Sequence, residues 1–274
     1  MARIIPIIFI LGLINWLGSC SSPGRPASGT YPQDPRISTP AGVPRDSATS
    51  YFPASASVNP SQDSLAKRMG DCQGEFQGAS ELLFRFKAPV LSNYYFGHSI
   101  YRFLWWPAFR LPVLLTLDLT ESKAVLKTQC VNRYPEPMAS ARQVEAESRP
   151  EIERINQLKA LIKTCQQVAD NQERLASALS RLDYIKLSGT PLIITEKNVV
   201  LSQSQVRQFV QLLNQADFWQ LPSCKPTFLL DGAYYTLEAH ELQRYKVVMR
   251  HSPSEKDGFF RCCKFLLDLS PAKP

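Results

Sequence analysis

An α+β fold with a mainly antiparallel sheet is predicted for this chain on three observations. Two stretches alternate apolar and polar residues on either side of short turns and read as hairpins. The helical periodicities stand in runs of their own, without the strict strand–helix alternation of a parallel sheet. The composition, 44% hydrophobic and 20% charged over 274 residues, supports one sizeable core. With Gly 12 and Pro 21, the chain is not collagen-like, and glycine-rich phosphate loops are disfavoured. The formal net charge is +7, without a run of Lys or Arg. No repeat of fixed period occurs.

Residues 1–19 read as an export signal. Arg3 supplies the positive start, and Ile4–Leu17 is apolar apart from Pro6, Gly12 and Asn15. As a helix that stretch spans roughly 21 Å, short of a ~30 Å bilayer core, so a secretory segment fits better than a membrane span. Leu17-Gly18-Ser19-Cys20 closes it with an aliphatic residue, two small residues and a cysteine. This resembles the lipobox of bacterial lipoproteins. The resemblance implies cleavage after Ser19 and acylation of Cys20, and two or more acyl chains anchor stably where one is marginal. Ser21 in place of Asp resembles the form sorted to the outer membrane. The expected location is the bacterial cell envelope, lipid-anchored, facing the periplasm or the cell surface.

Residues 20–62 are expected to form a disordered tether. Ser21–Gln62 holds 8 of the 21 Pro and 9 Ser, with Ile37, Val43 and Val58 as its only aliphatics. A flexible coil of that length reaches roughly 35 Å.

The body, residues 63–274, is read as a single α+β domain. Glu81–Lys87 and Ser99–Trp106 are expected strands. Pro112–Cys130 is expected as a hairpin around Thr120–Lys123, with Val113, Leu115, Leu117 and Leu119 sharing a face with Ala124, Leu126, Thr128 and Cys130. A helical insertion occupies about residues 138–182. Ser148–Glu151 has capping-box spacing, and one long helix runs from there to Leu182 along an Ile155, Leu158, Ile162, Cys165 seam. It either lies on its own domain or serves as a partner-docking arm. A second capping box, Ser202 and Gln205, opens a helix through Val206, Phe209, Val210 and Leu213. A second hairpin is expected to pair Ala233–His240 with Arg244–His251 around Glu241–Gln243, with Tyr235, Leu237, Tyr245, Val247 and Met249 inward. A last helix, Gly258–Leu269, carries Phe260, Cys263 and Leu267 on one stripe.

Phe218-Trp219-Gln220-Leu221-Pro222, Asp231–Glu238 and Arg244–Pro253 together resemble an uncharacterised bacterial domain family with the pattern FW-x-LP, DG-x-x-W-x-LE and RYH-x-V-x-RWSP. Tyr235, Lys246 and His251 depart from it. The resemblance implies similarity of fold and brings no activity.

Motif chemistry is sparse. Gly97-His98-Ser99-Ile100-Tyr101 approaches a nucleophile elbow but ends in Tyr101 where the turn needs glycine. His240–Arg244 begins like a zinc-binding helix motif but places Arg244 at the second ligand. No C-x-x-C, P-loop or dinucleotide fingerprint occurs, and no cofactor, metal or catalytic residue is assigned. With a three-residue turn, Tyr234 faces Arg250, Glu238 faces Lys246 and His240 faces Arg244 on the outer face of the second hairpin, a possible surface for a ligand or partner.

Ten of the 28 aromatics fall between Phe84 and Phe109, beside Arg85, Lys87, Arg102 and Arg110. They are either core or a sugar-contacting surface. Besides Cys20, six cysteines remain: Cys72, Cys130, Cys165, Cys224, Cys262 and Cys263. An exported compartment permits disulfides, and six cysteines leave the pairing open. The resulting expectation is an anchored, non-enzymatic binding or interaction module. Its partners are the membrane, through lipid on Cys20, and an envelope protein or peptidoglycan, not nucleic acid. The alternatives are an envelope enzyme with a site gathered from scattered residues such as Glu238, His240 and Arg250, or a small-ligand carrier.

Overall fold

The computed structural model describes residues 31–62, 67–136, 139–164, 168–227 and 231–271. The expected export signal, Cys20 and Cys165 lie outside the described residues. Six strands, β1 (Ser99–Pro107), β2 (Val113–Leu119), β3 (Ala124–Val131), β4 (Ile194–Leu201), β5 (Ala233–Glu241) and β6 (Arg244–His251), form one sheet in the order β4-β3-β2-β1-β5-β6. Every neighbouring pair is antiparallel. The helices are α1 (Gln73–Arg85), α2 (Ala141–Lys163), α3 (Val168–Ser188), α4 (Gln203–Gln215) and α5 (Gly258–Leu269). The fold is α+β.

The β2–β3 hairpin has the expected register, with Leu117 opposite Leu126 and Leu115 opposite Thr128. Its Leu-rich face belongs to a core under α4 and α5. Tyr101, Phe103, Leu115, Leu117, Leu237 and Val248 of the sheet meet Phe209, Leu213, Phe259, Cys262 and Leu266 there. Ser202 caps α4, accepting from Gln205 N–H while the Gln205 side chain accepts from Ser202 N–H. The helix ends where Asp217 takes φ 49, which directs Phe218 into the core. Gly258 opens α5 against α4, since a Cβ there would come within 2.9 Å of Ala216 Cα. The buried stripe of α5 is Phe259, Cys262, Cys263 and Leu266, one residue round from the expected Phe260, Cys263, Leu267 stripe.

The opposite face is covered over β1, β5 and β6 by α1 and the N-terminal segment. Phe76, Leu82, Leu83 and Phe86 pack with Leu104, Leu114, Val247 and Met249. The segment expected as a strand at Glu81–Lys87 is therefore the end of α1. Leu82, Phe84 and Phe86 alternate, while Leu82, Leu83 and Phe86 share a helical face, the one the structure buries, and seven residues are too few to separate the two periods.

The tether expectation requires correction over 31–62. Tyr51 is fully buried, donating from its N–H to Ser80 Oγ (3.2 Å) and from its hydroxyl to Ala88 O (2.9 Å). Phe52 packs edge-on against Phe76, and Tyr31 donates its hydroxyl to Glu241 O at 2.7 Å. Asn93 binds this segment through Asp34 N–H, Asp34 O and Ser38 Oγ. The segment is poor in aliphatics, but Tyr31, Tyr51 and Phe52 supply the apolar area, and the body begins by Tyr31.

The insertion also differs. Ser140, not Ser148, caps α2 by accepting from Gln143 N–H, and the helix runs through Pro150. Two helices replace the single long one. They pack antiparallel, Ile155 and Leu158 against Ala178 and Leu182, with Arg181 and Glu151 paired at 3.1 Å. β4, outside every expected element, returns the chain to the sheet beside β3. Cys72 at the start of α1 is disulfide-bonded to Cys224 beyond α4, closing 152 residues, while Cys130, Cys262 and Cys263 are free thiols.

Candidate functional site

A groove crosses the half of the sheet that α1 leaves open. Residues of β2, β3 and β4 opposite the Leu-rich face, Thr116, Asp118, Lys127, Gln129, Glu196 and Asn198, are half-buried or exposed. Three hollows adjoin there. The first, about 790 Å³, is largely apolar and runs between Val43, Pro44, Phe84, Leu192 and Ile194. The second, about 100 Å³, is bordered by Arg102, Thr116, Lys127 and Gln129. The third, about 410 Å³, is a polar cup with His98, Lys123 and Asn198. Lys87, Ala88 and Pro89 wall both the first and the second, and Asp118 and Lys127 wall both the second and the third.

Lys87 is placed by the end of α1. Lys87 N–H donates to Phe84 O and Ala88 N–H to Leu83 O, the Schellman arrangement. Lys87 occupies the left-handed position of that motif, φ 56, where glycine is the favoured residue.

Arg102 lies at the floor. Its Nε donates to Glu238 Oε2 at 2.5 Å, with the two side chains 1% and 2% exposed. Tyr245 donates to the other Glu238 oxygen at 2.7 Å, and Arg102 Nη1 donates to Pro89 O. Arg102 Nη2 is buried and has no hydrogen-bond partner among the described residues. At the far end, His98 Nε2 lies 3.4 Å from Asp118 Oδ1.

The expected surface on the second hairpin is not assembled. The β5–β6 turn has two residues, Leu242-Gln243, not three, so the register slips by one: Tyr234 pairs with His251, Glu238 with Val247, and His240 with Tyr245. A one-residue slip moves a partner strand's side chains to the other face. Tyr234, Glu238 and His240 therefore share the α1 face, while Arg244, Lys246 and Arg250 lie on the α4–α5 face. The core expectation changes with it: Tyr235 and Leu237 point one way, Tyr245, Val247 and Met249 the other, and helices cover both faces.

Each of the six has a structural partner or setting. Tyr234 stacks on His251, 4.4 Å between ring centroids. His240 is fully buried between Leu91 O, 2.8 Å from Nδ1, and Phe96 N–H, which donates to Nε2 at 3.2 Å. That pattern assigns the neutral Nδ1–H tautomer, and burial pushes the imidazole down to about 4. Arg244 stacks on Trp219 at 3.6 Å and binds Glu241. Burial lowers Lys246 from the usual lysine range. Arg250 donates to the carbonyls of Met249 and Pro222. The segments that carry the family resemblance thus meet, through Trp219 with Arg244 and Pro222 with Arg250.

The ten aromatics between Phe84 and Phe109 divide between interior and surface, six of them half-buried. Phe86, Tyr101 and Phe103 are buried, whereas Phe109 is 83% exposed. Lys87 and Arg102 belonged to that basic-aromatic stretch. Thr116, Asp118, Lys127 and Gln129 escaped sequence reading, although their period-two placement opposite the Leu-rich face marked them as one row. His240–Arg244 lies at the β5–β6 turn, as expected.

Comparison with protein-family models, with curated proteins and with solved structures finds no match. Among the described residues no group of three or more His, Cys, Asp or Glu is placed to hold a metal ion, and no helix is long and apolar enough to cross a membrane.

Proposed function

We propose that this chain is a lipid-anchored bacterial envelope lipoprotein whose body is a non-enzymatic binding module, with the open half of the sheet as its binding face. The observation that carries the reading is the groove itself. It is large enough for a ligand or an extended segment, mostly apolar at one end, and furnished with a few convergent polar groups. Leu17-Gly18-Ser19-Cys20 supports the anchor. The Cys72–Cys224 bridge supports an oxidising, exported compartment.

Two measurements test it. Metabolic labelling with a palmitate analogue should mark the chain, and Cys20→Ala should abolish the label and release the protein into the soluble fraction. A variant that still takes label and floats with membranes removes the anchor. A photo-crosslinking residue at Asn198, in the groove, should give an adduct in living cells, while one at Arg261, on α5, should not. Equal adducts at both positions, or none at Asn198, remove the groove as the binding face.

A further inference from the structure

We infer that the groove takes a small amphipathic anion, its carboxylate or phosphate group at Lys87, Lys127 and Arg102 and its hydrocarbon part over Phe84, Leu192 and Ile194. This deepens the binding-module reading and rests on it.

Three independent features converge on that junction. The first is charge. The 100 Å³ cavity has Lys87, Lys127 and Arg102 in its walls; Arg102 is paired with Glu238, which leaves Lys87 and Lys127 against Asp118, and Asp118 has His98 beside it on the side away from the apolar hollow. The second is an unspent donor. Glu238 and Pro89 satisfy Nε and Nη1 of Arg102, which borders the cavity, but Nη2 is buried without a partner among the described residues. A buried N–H left unsatisfied carries a desolvation penalty, more on a charged group, so an acceptor arriving there recovers a penalty already present in the fold. The third is the backbone of Lys87. A lysine is held at φ 56, in the left-handed region where glycine is the easier residue. Lys87 lines both the apolar hollow and the charged cavity, and an outlier of this kind points to a function of the side chain.

The adjoining volumes set the ligand class. The inner cavity has room for a few waters or one small anionic group and not for a ring system. The apolar hollow, about 790 Å³, lies within the size range of small-molecule sites. A ligand lying across Lys87 must therefore be charged at one end and apolar at the other. Carboxylate and phosphate share the required chemistry, acceptor oxygens with negative charge, and Lys87 and Lys127 serve either as point charges.

The test uses the full chain in nanodiscs of neutral lipid, photolysed with a diazirine-bearing decanoate and mapped by peptide mass spectrometry. Label is expected on the peptides containing Phe84–Pro89 and Leu192–Ile194, and weakly or not at all with the matching decanol probe. Competition with decanoate against decyl phosphate identifies the preferred anion. Lys87→Gly combined with Lys127→Gln should lower the yield about tenfold. Lys87→Gly alone should keep or raise Tm, because glycine relieves the left-handed strain. Equal labelling by the decanol probe, label outside the groove, or an unchanged yield in the double variant overturns the inference. If any of these occurs while the Asn198 adduct persists, the groove remains a binding face and only its ligand chemistry is wrong.

Discussion

Arg102 and Glu238 sit directly opposite each other on β1 and β5, joined Nε to Oε2 at 2.5 Å with almost no exposure of either side chain. Moving both charges out of water is costly. The pair persists because the carboxylate also accepts from Tyr245 and the guanidinium also donates to Pro89 O. Removing one partner should be worse than removing both. Glu238→Leu is expected to cost about 3–5 kcal/mol, and Arg102→Met with Glu238→Leu to recover most of that. Urea denaturation of the two variants checks this. A double variant no more stable than the single contradicts the account.

His240 should make the fold acid-sensitive. Its folded-state value of about 4 lies below the 6.5 of an unfolded histidine, so the unfolded chain takes up the proton first. The contribution is complete above pH 6.5 and is lost as pH falls toward 4. The loss is about 3 kcal/mol at about 1.4 kcal/mol per unit. Protonation would also set an Nε2–H against the Phe96 N–H. Tm measured from pH 7 to 4 should fall less steeply in His240→Gln, which can keep both hydrogen bonds and does not titrate. Identical slopes would remove His240 as the cause.

The Cys72–Cys224 bridge closes a 152-residue loop, and both cysteines are nearly fully buried. Loop-closure entropy in the unfolded chain places its contribution at about 2–5 kcal/mol. Reduction under native conditions, or Cys72→Ser with Cys224→Ser, should lower Tm by several degrees, and mass spectrometry should find this pair and no other among the described cysteines. A bridge involving Cys130, Cys262 or Cys263 would contradict the fold near α5.

The N-terminal segment should be indispensable. A chain beginning at Asp63 loses the buried Tyr51, Phe52 and Ala56 and uncovers Phe76 and Leu83. It should be molten, or melt far below a chain beginning at Tyr31. Tyr51→Ala alone is expected to cost about 3–5 kcal/mol, the range for a large aromatic in a core. Near-identical melting of the two truncated chains would return 31–62 to the status of a spacer.

Local rules were legible wherever neighbours in sequence are also the deciding neighbours in space. The β2–β3 register followed from a four-residue loop and clean alternation. The α4 cap followed from Ser202 and Gln205, and the span of α5 from its apolar period. The chain also announced its α+β class. What it could not decide were matters settled by distant contacts. β5 and β6 are covered on both faces, so alternation no longer distinguished inside from outside, and a one-residue difference in turn length sent Glu238 and Arg250 to opposite sides. Tyr31, Tyr51 and Phe52 look like isolated aromatics in a Pro/Ser-rich stretch until Ser80, Ala88 and Glu241 come to meet them. The pairing of Cys72 with Cys224, and the meeting of Lys87, Arg102 and Lys127 around one cavity, join three separate elements. Sequence periodicity records which face of an element is apolar. Only tertiary packing decides what covers that face, and so which polar groups are left with an open side.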